Sequence, residues 1–217
     1  MSELRVVMLS GSFEYDSEES LVILRDYLHA NDPVGCEVVV FEAEEDEQSL
    51  AAIDDADVVV VFTRRLLTAG AALERFQRYC HDGRPVVGVR TASHGFQNWL
   101  DFDRDVLGGH YEGHYGSGAT TKVGFAPDVL EHPVLQGVEP FDAHGSLYKN
   151  TPLADDTDLL LVGQEGEHRE PVAWTCERAG RAFYTSLGHQ HDFWELDFLR
   201  LVRNGILWSV NQPNTPR

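Results

Sequence analysis

Runs of apolar residues alternate with amphipathic stretches through the first hundred positions of the chain. Leu4 to Leu9 is a short apolar run closed by Ser10-Gly11-Ser12, and from Ser17 to Asn31 the apolar residues Leu21, Ile23, Leu24 and Leu28 recur at helical spacing. Further β-branched runs follow at Glu37 to Phe41, Asp57 to Phe62 (DVVVVF) and Pro85 to Val89 (PVVGV), and a helix capped by Thr68 and ending near Cys80 is predicted between the last two. A strand with one wet face alternates apolar and polar residues, whereas these runs are nearly continuous. Continuous runs separated by amphipathic helices require a mostly parallel sheet with helices on both faces, so the first half is predicted to be doubly wound α/β.

Beyond residue 100 the pattern loosens. Gly108-Gly109, Gly113, Gly116 and Gly118 punctuate a loop, Thr120 to Phe125 and Asp158 to Gly163 read as strands, and Pro133 and Pro140 bracket a turn. Pro171 to Thr175 and Arg181 to Ser186 flank Glu177-Arg178-Ala179-Gly180, the signature of a late β-hairpin. Leu196 to Val210 closes the chain as an amphipathic helix. With no linker, repeat or low-complexity block, residues 1–217 are expected to form a single domain.

Charge changes what such a domain can bind. The 217 residues carry 36 Asp and Glu against 17 Lys and Arg, a formal net charge of −19, and only Lys122 and Lys149 are lysines. Phosphate backbones and anionic membranes would be repelled, so neither a nucleic acid nor a membrane is an expected partner. Acid-rich, lysine-poor surfaces also suit a salty interior, where screening quiets self-repulsion. The acid run Glu42 to Glu47 reads as a solvated loop. Cys36, Cys80 and Cys176 are an odd number without CxxC spacing, the N-terminal stretch lacks a secretory pattern, and no run approaches the roughly 18 apolar residues of a membrane span. A cytoplasmic location is expected, with a homo-oligomer plausible by base rate.

Ligands of open α/β sheets bind outside the carboxyl ends of the strands. Five such places are polar here: Ser10-Gly11-Ser12, Thr63-Arg64-Arg65, Arg90 to Gly95, Tyr148, and Gly188-His189-Gln190-His191. Two of them lie in GVRTASHGFQNW and RAFYTSLGHQHDFW, and these stretches carry a resemblance. Together with GGHYEGH at 108–114, HPVLQGV at 132–138, Leu147-Tyr148, PVAW at 171–174 and NGILW at 204–208, the chain resembles the trehalose-utilisation (ThuA-like) family. The resemblance spans nearly the whole chain and implies a class I glutamine-amidotransferase-like, flavodoxin-like sheet. It also implies a role in carbohydrate utilisation, with a small-molecule carbohydrate as partner, on a disaccharide or an oxidised (keto) sugar.

In glutamine amidotransferases a Cys nucleophile follows the strand that Arg90 follows here, and a guanidinium cannot attack, so cysteine-dependent glutaminase chemistry is excluded. Arg90 also departs from the His that the ThuA-like pattern has in this turn. It is instead a fork of donors for a carboxylate, a phosphate or sugar oxygens, or the partner of one of many carboxylates. His189 falls where the amidotransferase His would be and is the expected acid or base, oriented by Asp192 or Glu165.

Arg90 and His189 are therefore the expected catalytic pair, with Ser12, His94, His114, Tyr148, Trp174 and His191 as substrate-binding candidates. Tyr148, Trp174, Phe193 and Trp194 are read as an aromatic floor for a sugar ring, and Trp99 and Trp208 as packing residues. Six histidines fall on loops: His94, His110, His114, His144, His189 and His191. No motif fixes a cofactor, and His94, His110, His114 and His189 are candidate ligands for a divalent metal ion, without HExxH spacing. Ser93 lacks the G-x-S-x-G frame of a serine hydrolase. The alternative is a non-catalytic sugar-binding or regulatory module on the same scaffold.

Overall fold

The computed structural model describes residues 3–116 and 120–210, which leaves Gly118 outside the described residues. One nine-stranded sheet has the order β2-β1-β3-β4-β9-β8-β7-β5-β6. Its parallel part is β1 (Leu4–Gly11), β2 (Val34–Val40), β3 (Val58–Thr63), β4 (Val86–Val89) and β9 (Ala182–Thr185). The remaining strands, β5 (Thr120–Phe125), β6 (Phe141–His144), β7 (Thr157–Glu165) and β8 (His168–Cys176), extend it with antiparallel ladders. The sheet is thus parallel at the start and antiparallel later, and the β8–β9 hairpin joins the two parts.

The reason for the continuous valine runs is visible in β3. Val58, Val60 and Phe62 enter one core with Leu21, Leu24 and Leu28 of α1 (Ser17–Asn31) and Phe198, Val202 and Ile206 of α3 (Leu196–Ser209). Val59 and Val61 enter the other, against Phe76, Tyr79 and Cys80 of α2 (Gly70–His81). Every residue of β3 is buried, and a fully buried Val contributes about 1.5–3 kcal/mol. A polar residue at any of these positions would lie in one core or the other.

Thr68 is not the cap of α2. The residue before the helix is Ala69, and the Thr68 hydroxyl is buried without a partner. β6 lies outside the strands that the sequence predicts: FDAH alternates apolar and polar residues but is too short to mark a strand by itself, and pairing with β5 defines it. From β1 the chain passes through α1 to β2 on one side, while β3 adds on the other. This puts the switch point, and the crevice it opens, at the carboxyl ends of β1 and β3.

Candidate active site

β4 runs out at Val89 into the 3-10 turn Arg90–His94, and Arg90 takes a left-handed φ of 50°, a conformation uncommon for residues with a Cβ. Such backbone costs on the order of 1–3 kcal/mol and aims the side chain inward from the strand end. The guanidinium is buried, with Arg90 1 % exposed. Its Nη1 donates to the Ser186 carbonyl (2.7 Å) and its Nη2 to the Ser146 carbonyl (3.1 Å) and the Tyr15 hydroxyl (3.3 Å), while Nε has no partner. The rings of Tyr148 and Tyr15 flank it at 4.4 and 5.0 Å.

Gly145 (φ 81°) closes the cage, since a Cβ there would stand 2.8 Å from Nη2. Burial works against the charge, but Tyr148, Tyr15 and Asp192 outweigh it and hold the pKa above its ordinary value. Arg90 therefore neither pairs directly with a carboxylate nor presents an open fork to a ligand. It is a positioning residue that ties β4 to the segment after β9, to the loop after β6 and to Tyr15.

On one side of this cage lies a histidine cluster organised by Asp192, which is fully buried. Its Oδ2 accepts the backbone N–H groups of Gly188 and His189, both at 3.0 Å. Its Oδ1 accepts the His144 backbone N–H (2.8 Å) and lies 3.0 Å from His144 Nδ1. A carboxylate in that place assigns the proton to Nδ1, which leaves the lone pair on Nε2 of a ring that is 40 % exposed. His189 has the opposite tautomer: its Nδ1 accepts the His191 N–H (3.2 Å), so in the neutral ring the proton is on Nε2.

The His144 and His189 ring centroids are 5.9 Å apart, and His191 lies 5.3 and 4.9 Å from them. Burial lowers the His189 pKa, and the neighbouring His191, Arg90 and His144 add to this against the pull of Asp192. A proton acceptor and a proton donor thus sit side by side.

On the other side His94 stacks on Tyr111 at 4.5 Å and tilts against Tyr148 at 6.0 Å. Burial pushes its pKa down to about 3, helped by Arg64, Arg65 and Arg90. It is a neutral imidazole across the physiological range. Tyr111 and Tyr148 are held as phenols, first by burial, with pKa values above the ordinary tyrosine value. Asp103 fixes Tyr111 by accepting its backbone N–H (2.8 Å), and burial raises that carboxyl to about 6.

The sequence profile described as "Trehalose utilisation" matches residues 5–209. The chain belongs to the trehalose-utilisation family. A ThuA-like protein of Parabacteroides merdae is 18% identical with a TM-score of 0.80, covering 100% of this chain and 93% of that one. One of Bacteroides uniformis is 17% identical with a TM-score of 0.75, over 97% and 93% of the two chains. A glutamine amidotransferase of Thermotoga maritima shares the fold at 11% identity and a TM-score of 0.58, over 98% and 100%. No curated protein matches the chain.

Measured against this geometry, the trehalose-utilisation chain keeps some of its expected site residues together and separates others. Arg90, His94, Tyr148, His189 and His191 gather around the strand ends as foreseen. Trp174 does not: it is fully buried in the α2 core, its indole N–H donating to the Leu107 carbonyl at 2.7 Å, so it cannot floor a sugar site. Phe193 is buried in the other core. Ser12 is buried as well, its hydroxyl accepting from Thr91 at 2.9 Å, which makes it a tie between loops rather than a ligand contact.

His114 is exposed, bridged to Tyr148, with Nδ1 3.0 Å from the Gly116 carbonyl. His110 lies 3.1 Å from Glu112 on the surface. Among the described residues no group of three or more His, Cys, Asp or Glu side chains is placed to hold a metal ion. Glu165 accepts the Leu147 N–H at 3.2 Å, and Asp192 orients His144 rather than the His189 ring.

Three contributors were missed. His144 was noted as a loop histidine but not chosen, although a His before Gly145 was an available signal; Tyr15 and Tyr111 had none. Cavities of about 450 and 480 Å³ lie near β1 and α2 without a histidine in their walls, the first lined by acids with Phe13, Val22 and Phe41, the second by Glu47 and small or polar residues. A third, of about 220 Å³, borders His191. No described helix is long and apolar enough to cross a membrane.

Proposed function

We propose that the chain performs acid/base chemistry on a carbohydrate of the disaccharide or ketosugar type, with His144 as base and His189 as proton donor. The observation that carries this reading is the single carboxylate of Asp192, which bonds the His144 ring and the backbone of His189 at once. For a ketosugar, His144 Nε2 takes a proton from the carbon beside the carbonyl while His189 Nε2–H donates a hydrogen bond to the carbonyl oxygen as it gains negative charge. The lowered His189 pKa keeps the ring neutral, the form that polarises a carbonyl by donating a hydrogen bond rather than by giving up its proton outright. On a glycoside the same base activates water. Family membership supports a carbohydrate as substrate, and Arg90 supports the site by fixing its walls.

The test is turnover of trehalose and of a keto-disaccharide by His144→Gln. Rates are expected to fall about 10²–10⁴-fold, the usual contribution of general acid/base catalysis. Full activity would overturn the assignment. The occupation of the strand-end turn by a caged arginine favours a second reading, a sugar-binding module without chemistry. That reading predicts ligand-induced thermal stabilisation with the sugar recovered intact.

A further inference from the structure

Trp194 is 71 % exposed, the most exposed of the large apolar side chains, yet it belongs to the same 3-10 turn as His191 and Asp192. It forms one wall of the 220 Å³ cavity, with Ile23 of α1 completing the apolar surface. Asp16, Glu19, Ser20, Gln190 and His191 form the rest. The carboxylates of Asp16 and Glu19 have no hydrogen-bond or ion-pair partner among the described residues, and so are free acceptors.

The volume is below the ~300–1,000 Å³ of sites that enclose drug-sized ligands and suits a single small ring. The lining is divided in the way a pyranose is divided: an aromatic face and a branched aliphatic for the C–H face, acceptors and an amide for the hydroxyl rim. His191 connects it to the chemistry, its ring lying 5.3 Å from that of His144 and 4.9 Å from that of His189.

We propose that this cavity is a subsite for a neutral hexose ring, holding one unit of a disaccharide against Trp194 while the other unit reaches His144 and His189. The inference rests on the carbohydrate reading above but concerns binding alone. The free carboxylates make the subsite selective: glucuronate and glucose 6-phosphate carry a charge that Asp16 and Glu19 repel, whereas a neutral glucoside does not.

The experiment uses the full chain in its His144→Gln form, so that binding is read without turnover. Trehalose and methyl α-D-glucopyranoside are titrated by calorimetry and by tryptophan fluorescence, with and without Trp194→Ala. Both sugars are expected to bind saturably, to protect Trp194 from acrylamide quenching, and to bind at least about 10-fold more weakly to Trp194→Ala; the two anionic sugars should bind more weakly than either. In the active chain Trp194→Ala should raise KM and leave kcat.

Sugar affinity unchanged by Trp194→Ala, or no binding of either sugar, overturns the subsite. So does a Trp194→Ala effect on sedimentation with none on KM, which would assign the exposed ring to self-association. Binding through Trp194 without turnover by the unsubstituted chain would leave the subsite standing and remove the catalytic reading. Turnover with a KM indifferent to Trp194 would do the reverse.

Discussion

His94 belongs to the turn that Arg90 opens, and His144 precedes the glycine that packs on the same guanidinium, so the two imidazoles share one buried cation as neighbour. Their surroundings differ in burial, which is the first cause of the lowered His94 pKa, and in the charges beside each ring. His94 has Arg64, Arg65 and Arg90 around it and no carboxylate among its electrostatic partners, and its pKa is pushed down to about 3. His144 has Asp192 at 3.0 Å from Nδ1. In a protein with a net charge of −19, the carboxylates could have lain beside either ring. A carboxylate beside a strand-end histidine fixes its tautomer, and in the proposed reading that is what suits His144 and not His94 to act as base.

The contrast breaks most completely at Asp192. Its four N–H contacts come from His144, Gly188 and His189, all to a fully buried carboxylate. Asp192→Asn keeps the shape but turns an amide NH2 toward groups that are themselves donors. A loss of about 3 kcal/mol is expected from the denaturant midpoint, because buried donors are left facing a donor. Activity should fall by at least as much as in His144→Gln, since ring and backbone lose their common anchor. A variant as stable and active as the parent would show that the carboxylate does not distinguish the clusters.

Part of this arrangement was legible in the sequence. DVVVVF announces a strand buried on both faces because no other environment accepts five apolar residues in a row, and the sheet around it follows. His189 was legible because strand-end position and family resemblance select it independently. His144 was not, since β6 is defined by pairing with β5 and its acid lies 48 residues away in sequence. Trp174 misled for a related reason: a strand residue faces one of two layers, and apolar neighbours on both sides conceal which. The strand-end position of Arg90 was legible, but its cage of carbonyls and phenols assembles from three separate segments, at Tyr15, Ser146–Tyr148 and Ser186.

A smaller effect sharpens the comparison from the side of His94. Its folded-state pKa of about 3 is below the ordinary 6.5, so the folded chain prefers the neutral ring. The stability that this preference confers is complete above about pH 6.5 and is lost as pH falls toward 3. Asp103, raised to about 6, works oppositely: stability is regained as it protonates between about pH 6 and 3.8. His94→Gln removes the first contribution and keeps the second. The difference in unfolding free energy between parent and variant should therefore shrink by about 3 kcal/mol from pH 7 to pH 4. A difference independent of pH would mean that His94 is not held neutral.

The least of the expected effects isolates the arginines. Arg65 is exposed, its backbone N–H bonded to the His94 carbonyl at 3.0 Å, and its charge is one of three that disfavour the imidazolium. Screening weakens an exposed charge, and burial of His94 is the larger cause, so Arg65→Gln should raise the His94 pKa only slightly. The His94 ring resonances followed by NMR against pH should show a small upward shift, reduced further in high salt. An unmoved His94 would mean that Arg65 takes no part in holding its ring neutral.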